Sequence, residues 1–406
     1  MSGSPPRLVH QQNSVQVKLH GLLVCFSHLR WNFVFQRPQH LLSRAAKNFT
    51  VLFYEEPLFV DNSRAKLDIK TSDEGVIVVT PILPKGLTSA ECAFMQRSLV
   101  DMLLEKHAGR PRVAWYYTPM ALQFTQHVKF DCVIYDCMDE LSGFKGAPSN
   151  ISELEKILMQ KADIMFTGGQ SLFQAKKDQH HNIHAYSSSI DRQHFARARD
   201  AVTIDPDDQR HIPRPRVGFF GVIDERTDLK LMEEVATLRP SVQFIILGPV
   251  VKIDEQSLPR LPNIHWLGQK DYRELPLYMA HWDIGFMPFA INEATQFISP
   301  TKTPEFLAAG LPVVSTPIVD VVRNWGKSGL VQIAETSVQM CNEIDRALVV
   351  DRSLWLKRVE QVLLPLSWDL TFASMLNHIN THLWTNKTGN VLASASHLSF
   401  TGEANV

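Results

Sequence analysis

The sequence predicts an α/β protein of two Rossmann-like domains, their parallel sheets facing across a cleft. Three observations carry that expectation. Short apolar or β-branched runs alternate with helical stretches along most of the chain, the pattern of parallel α/β layers. One charged, proline-bearing stretch at 197–215 (RARDAVTIDPDDQRHIPRP) interrupts the alternation, as interdomain linkers do. A length of 406 residues is enough for two hydrophobic cores.

In chain order, residues 1–18 are polar and carry Pro5 and Pro6, so a disordered tail is expected there. A first domain is placed at 19–200. Its strands are expected at Leu22–Phe26, Val51–Tyr54, Val76–Thr80, Val113–Tyr117, Cys132–Tyr135 and Ile164–Thr167, with helices such as Gln36–Lys47, Ala90–Lys106 and Ile151–Lys161 between them. A second domain, 212–366, restarts the alternation with Val217–Phe220, Phe244–Leu247, Ile264–Leu267, Ile284–Pro288 and Val313–Ser315. Ser367 can cap a helix over 367–386 whose apolar residues Trp368, Phe372, Met375 and Ile379 recur three or four apart and need a partner face. From Lys387 to Val406, Ser, Thr, Gly and Asn take over, the composition of a flexible tail.

Bulk properties exclude several classes. Lysine and arginine number 41 against 42 acids, so no broad attraction to nucleic acid or an anionic membrane is expected. Five scattered cysteines suit free thiols in a reducing compartment. No signal-peptide core or membrane-spanning run is present, which favours a cytoplasmic protein, with peripheral membrane contact through an amphipathic helix still compatible. No dinucleotide fingerprint or P-loop occurs, which argues against a dehydrogenase or a kinase.

The segment Ser299 to Ser315 (SPTKTPEFLAAGLPVVS) reads as loop, helix and strand. Ser299 is a suitable N-cap, Pro300 a suitable first helical residue, Gly310 a helix end, and Pro312 leads into Val313 and Val314. Such a helix start favours a phosphate, Lys302 adds a full charge, and Glu305 shares its face. The plainer reading is a solvated i,i+3 pair on a surface helix.

The stretch Glu305 to Val314 (EFLAAGLPVV) resembles the donor-site helix and following strand of the GT-B retaining glycosyltransferases of the group 1/family 4 type. Ser189 to Phe195 (SIDRQHF), Gly218 to Ile223 (GFFGVI) and Asn263 to Gly268 (NIHWLG) follow in that family's order. Trp31 to Leu42 (WNFVFQRPQHLL) and Tyr135 to Glu140 (YDCMDE) are similar to a narrower bacterial TuaH-like subgroup that includes transferases encoded beside UDP-galactopyranose mutase. The resemblance implies a GT-B fold whose C-terminal helix crosses back to the first domain. It also implies metal-independent transfer, with retention, of a sugar from a nucleotide-diphosphate donor to a glycan or lipid-linked acceptor in cell-surface polysaccharide synthesis. UDP is the first choice of base and GDP the second; no cofactor beyond the donor and no metal is expected.

Under that resemblance Glu305 holds the donor ribose. Lys302 and the amides near Thr301 neutralise the diphosphate, and Gly221, Arg226, Gly248, Gly268, Gln269, Ser299 and Pro300 border the donor. Ser27, Trp31, Arg37, His40 and Asp136 are the acceptor-side candidates, and His28, Asp139 and Lys302 the catalytic ones, because histidine or aspartate can take a hydroxyl proton. Each has a structural alternative: Trp31 can plug the core, Arg37 can pair with an acid, and Asp139 can cap a helix. Two departures stand out. Phe297 occupies the position eight residues before Glu305 where the family often has a second glutamate, and Val222 and Thr227 stand where it often has an arginine and a lysine. They motivate a donor-binding protein without catalysis as one rival reading; a sugar-nucleotide epimerase on the same architecture is another. Asp136, Asp139 and Glu140 do not match a metal loop. His180, His181 and His184 lack a cysteine or carboxylate within their segment to complete a zinc set, and Asp271 to Glu274 fits a capping box.

Overall fold

The computed structural model describes residues 21–200 and 203–398; the expected tail at 1–18 lies outside them. Nine strands form the first sheet: β1 (Gly21–Phe26), β2 (Phe49–Tyr54), β3 (Leu58–Val60), β4 (Lys66–Thr71), β5 (Ile77–Pro84), β6 (Arg112–Tyr116), β7 (Cys132–Cys137), β8 (Ile164–Thr167) and β9 (Ile183–Ala185). Their order is β3-β5-β2-β1-β6-β7-β8-β9, with β4 antiparallel on β5 and every other pair parallel. The second sheet has six parallel strands, β10 (Arg216–Phe220), β11 (Gln243–Leu247), β12 (Ile264–Gly268), β13 (Ile284–Met287), β14 (Val313–Ser315) and β15 (Val331–Ile333), ordered β12-β11-β10-β13-β14-β15.

Central strands are continuous apolar runs because both sheet faces are covered. Along β1, Leu22, Val24 and Phe26 enter one core, and Leu23 and Cys25 the core on the opposite face. That second face is completed from the far end of the chain. Ser367 Oγ accepts the Leu370 N–H at 3.1 Å, and the helix that follows buries Trp368, Phe372, Met375, Ile379 and Leu383 against the first domain. The amphipathic helix thus finds its partner face by crossing back. It runs from Trp368 to Leu398, so 387–398 is helical where the composition suggested a flexible tail; residues 399–406 lie outside the described ones.

The alternation failed to show β3 and β4, because Leu58–Val60 is exposed throughout and Lys66–Thr71 is largely polar, as suits a sheet edge. A further adjustment concerns the linker. Ile190, Phe195 and Ala198, expected in the first domain, pack into the second core with Phe219, Phe220 and Phe306.

Several contacts join the two halves. The Asp320 carboxylate accepts the Ser171 N–H at 3.0 Å, Ser188 Oγ donates to the Ser299 carbonyl at 2.6 Å, and Gln269 Nε2 donates to the Phe33 carbonyl at 2.5 Å. Phe297 leans on the first-domain core, filling with apolar contact the place where an acidic residue was looked for.

Candidate active site

The helix of the 299–315 segment starts at Lys302, not Pro300, and ends at Ala308 with Thr301 as N-cap. Pro304 explains the displacement. It has no N–H, so it is tolerated in the first turn but not at the fifth position it would hold in a helix beginning at Pro300. Ser299 and Pro300 therefore lie in the approach to the helix. The Ser299 carbonyl is engaged by Ser188, and neither residue borders the cavity described next.

A cavity of about 780 Å³ separates the carboxyl ends of β10 and β11 from the first-domain loop at 31–36. Lys302, Glu305 and Thr301 border it, together with Gly221, Arg226, Gly248, Gln269, Tyr272 and Trp31. The Lys302 Nζ makes no ion pair within 4.0 Å among the described residues and rests 5.4 Å from the Phe219 ring centre and 5.9 Å from those of Phe220 and Phe289. Glycine makes room for it. Gly221 has φ +128°, and a Cβ there would lie 2.4 Å from Lys302 Cε and Nζ; at Gly248 (φ +144°) a Cβ would lie 1.8 Å from the Gly221 carbonyl oxygen.

Glu305 is 4% exposed, and its Oε2 has no hydrogen-bond partner among the described residues. Burial lowers the Lys302 amine from 10.5 to about 8 against the pull of Glu305, and raises the Glu305 carboxyl from 4.5 to about 7 against the pull of Lys302. A half-buried ammonium with no carboxylate within 4.0 Å among the described residues and a buried carboxylate with an unused oxygen are both incomplete until a ligand brings an anion to the first and a hydrogen-bond donor to the second.

Arg226 is less available than expected. Its Nε and Nη2 engage Asp224 at 3.0 and 2.7 Å, and the guanidinium lies 5.4 Å from the Phe144 ring centre, so its charge is already balanced. Gly268 ends β12 outside the cavity wall, whereas Gln269 reaches it and ties the Phe33 loop across. Tyr272 is a wall residue that the sequence showed only as part of a capping box. The box forms at Asp271 and Glu274, and the tyrosine ring between them stacks on His194 at 4.3 Å and on Phe35 at 4.5 Å. Nothing in local spacing distinguishes such a residue, because both ring partners are remote in sequence.

On the first-domain side the structure corrects four acceptor candidates. Arg37 and Asp136 are 3% and 0% exposed and bind each other, Nη2 to Oδ1 at 2.8 Å and Nε to Oδ2 at 3.0 Å, while Arg37 Nη1 donates to the Tyr186 carbonyl at 2.7 Å. They brace the wall and offer nothing to the cavity. His40 stacks on Trp368 with ring centres 4.6 Å apart, and burial holds its imidazole well below the usual range. Ser27 Oγ accepts the Leu29 N–H at 3.0 Å, a turn-closing role. Trp31 touches the cavity edge but is 5% exposed, its ring against Phe53 at 5.1 Å.

His28 and Asp139 are not among the lining residues of the cavity. Asp139 does not cap a helix; burial raises its carboxyl to about 6, opposed by the charges of Arg226 and Arg37. Burial, with Lys252 adding to it, lowers His28 to about 4, so a neutral imidazole is present at pH 7, and its Nδ1 has no partner among the described residues. The metal readings gain nothing here: Asp136 is committed to Arg37, and His180 Nε2 and Nδ1 bond the Ala162 carbonyl and the Asn182 N–H.

Residues 214–349 match the family model for glycosyl transferases group 1. Over 239 residues the chain is 30% identical to the teichuronic acid biosynthesis glycosyltransferase TuaH of Bacillus subtilis (strain 168), covering 54% of this chain and 59% of that relative. The chain thus spans about three fifths of the length of the curated relative it matches. Among solved structures it is similar to sucrose-phosphate synthase from Thermosynechococcus elongatus (TM-score 0.68, 14% identity, 90% of this chain and 100% of the other). It is also similar to an E. coli trehalose-6-phosphate structure bound with UDP-2-fluoro glucose (TM-score 0.65, 11% identity, 88% and 98%). At these identities the structural likeness speaks for the fold, which is GT-B.

Proposed function

We propose that this chain transfers a sugar, with retention, from a nucleotide-diphosphate donor to a glycan or lipid-linked acceptor. The base is taken as UDP, following the ligand of the E. coli neighbour and the resemblance of the amino-terminal motif. A role in cell-surface polysaccharide synthesis extends to this chain what the name of the Bacillus relative says of that protein. The observation that carries the reading is the pair in the cleft wall: an ammonium at Lys302 without an ion-pair partner, beside a Glu305 carboxylate with one oxygen unused.

In this reading the donor diphosphate meets Lys302 Nζ over Gly221, and Glu305 Oε2 accepts from a ribose hydroxyl. Departure of the diphosphate leaves an oxocarbenium-like carbon. Stabilising the leaving group is then the work of a cation already held in the cleft wall over Gly221, so little reorganisation accompanies the reaction. The leaving phosphate oxygen takes the acceptor proton, and no protein nucleophile is required. No helix among the described residues is long and apolar enough to cross a membrane, so a lipid-linked acceptor would be met from the surface.

A specific observation favours a second reading, in which the chain binds donor without turning it over. Phe297, standing where the family often has a glutamate, packs on the first-domain core, and Arg226 is neutralised by Asp224, so neither position offers a free group to the transferred sugar or the diphosphate. A thermal-shift panel of UDP-, GDP- and ADP-sugars, followed by product analysis with candidate acceptors, tests both. A ligand at a hundred times its dissociation constant stabilises by roughly 2.7 kcal/mol. No shift with any nucleotide sugar refutes the donor site, binding without product supports the second reading, and epimerised donor without an acceptor indicates an epimerase.

A further inference from the structure

Away from the cleft, three metal-ligand side chains from separate segments converge. Cys132 opens β7, Asp163 precedes β8, and His382 comes from the C-terminal helix; their ligand atoms all lie within 4.8 Å of one another. Because Cys132 and Asp163 stand at the amino ends of their strands, this cluster is at the opposite edge of the sheet from the cavity. It does not depend on the donor-site reading.

We propose that Cys132, Asp163 and His382 form a site for a borderline-soft divalent cation of the Zn²⁺ class, which clips the crossing helix to the first domain. One thiolate, one imidazole and one carboxylate suit zinc and leave a fourth position for water. The carboxylate is already oriented. Its Oδ2 accepts the Val133 N–H at 2.7 Å, and its Oδ1 lies 3.5 Å from His382 Nε2. Hydrogen bonds of this kind hold a ligand toward a metal. Cys132 is fully buried beside that carboxylate. With metal–ligand bonds of about 2.0–2.3 Å, donor atoms in a tetrahedral site lie roughly 3.3–3.8 Å apart; His382 Nε2 and Asp163 Oδ1, at 3.5 Å, are already in that range, and no separation need shorten by more than about 1.5 Å. On binding, the S–H bond breaks, a sulfur–metal bond forms and the proton passes to bulk buffer.

The test titrates the chelator-stripped full chain with Co²⁺ and then Zn²⁺. The expected result is thiolate-to-cobalt charge-transfer absorption that saturates at one equivalent, vanishes when Zn²⁺ displaces the cobalt, and is accompanied by a rise in Tm with Zn²⁺. Cys132→Ser and His382→Ala each abolish the band. If Cys132→Ser folds poorly, His382→Ala, on a half-buried position, decides the matter. The proposal is overturned if the unaltered chain gives no such band at one equivalent, or if the band persists in His382→Ala, which would mark adventitious binding elsewhere.

Discussion

Replacing Lys302 by methionine separates a residue that serves a ligand from one that serves the fold. The amine has no ion pair to lose among the described residues, and the ring contacts with Phe219, Phe220 and Phe289 suit a thioether as well as an ammonium stem. Its fall from 10.5 to about 8 on burial corresponds to about 3 kcal/mol of unfavourable differential interaction for the charged form. Part of the gain on removal is lost, because Glu305 then lacks its cation and takes up a proton near neutral pH. The free protein should therefore become more stable by about 1–2 kcal/mol, seen as a higher urea midpoint at unchanged slope. Donor binding should move the other way. Losing one charge-assisted contact of about 1.5–3 kcal/mol weakens the dissociation constant for a UDP-sugar roughly 10- to 150-fold by calorimetry. A Lys302→Met variant with lower stability and unchanged donor affinity would refute the assignment, since the amine would then be holding the structure together.

Four further outcomes follow from the same geometry. Gly221→Ala, with its Cβ 2.4 Å from the amine at a φ few side chains adopt, should weaken donor binding; combined with Lys302→Met its effect on affinity should be far from additive, because the lysine is the group displaced. In the unaltered protein, the dissociation constant should rise with pH above about 8, approaching tenfold per pH unit, as Lys302 loses its proton; proton uptake on binding, measured calorimetrically in two buffers, checks this. Lys302 should act on fold stability in the opposite sense: between about 8 and 10.5 the unfolded chain binds more protons at this group, so its contribution to stability rises with pH while affinity falls. Arg37→Ala should leave the buried Asp136 unpaired and destabilise by about 3–5 kcal/mol in urea, with donor affinity per folded molecule unchanged.

What could be read from the sequence divides along a physical line. Lys302 and Glu305 were legible because their placement is local: three residues apart on a helix followed by a short apolar strand, they share a face wherever that helix goes. Gly221 and Gly248 were legible for a similar reason, at the ends of apolar strands where a sheet presents its ligand. The helix start was misplaced by two residues although its cause was also local, since Pro304 sets a limit that an N-cap preference at Ser299 cannot override. Arg37, Asp136 and His40 were misassigned because a charged or aromatic side chain after a strand looks the same whether it faces a ligand or a partner. Those partners come from far away: Asp136 is 99 residues from Arg37, and Trp368 reaches His40 from the end of the chain. The crossing helix is the common agent. By packing Trp368 and Phe372 onto the first domain it turns His40 into core and brings His382 to Cys132 and Asp163. A chain truncated before Ser367 would therefore lose more than one helix: it would expose the apolar face of the first sheet and free the stacking partner of His40, while leaving Lys302, Gly221 and Glu305 on a second core built without that helix.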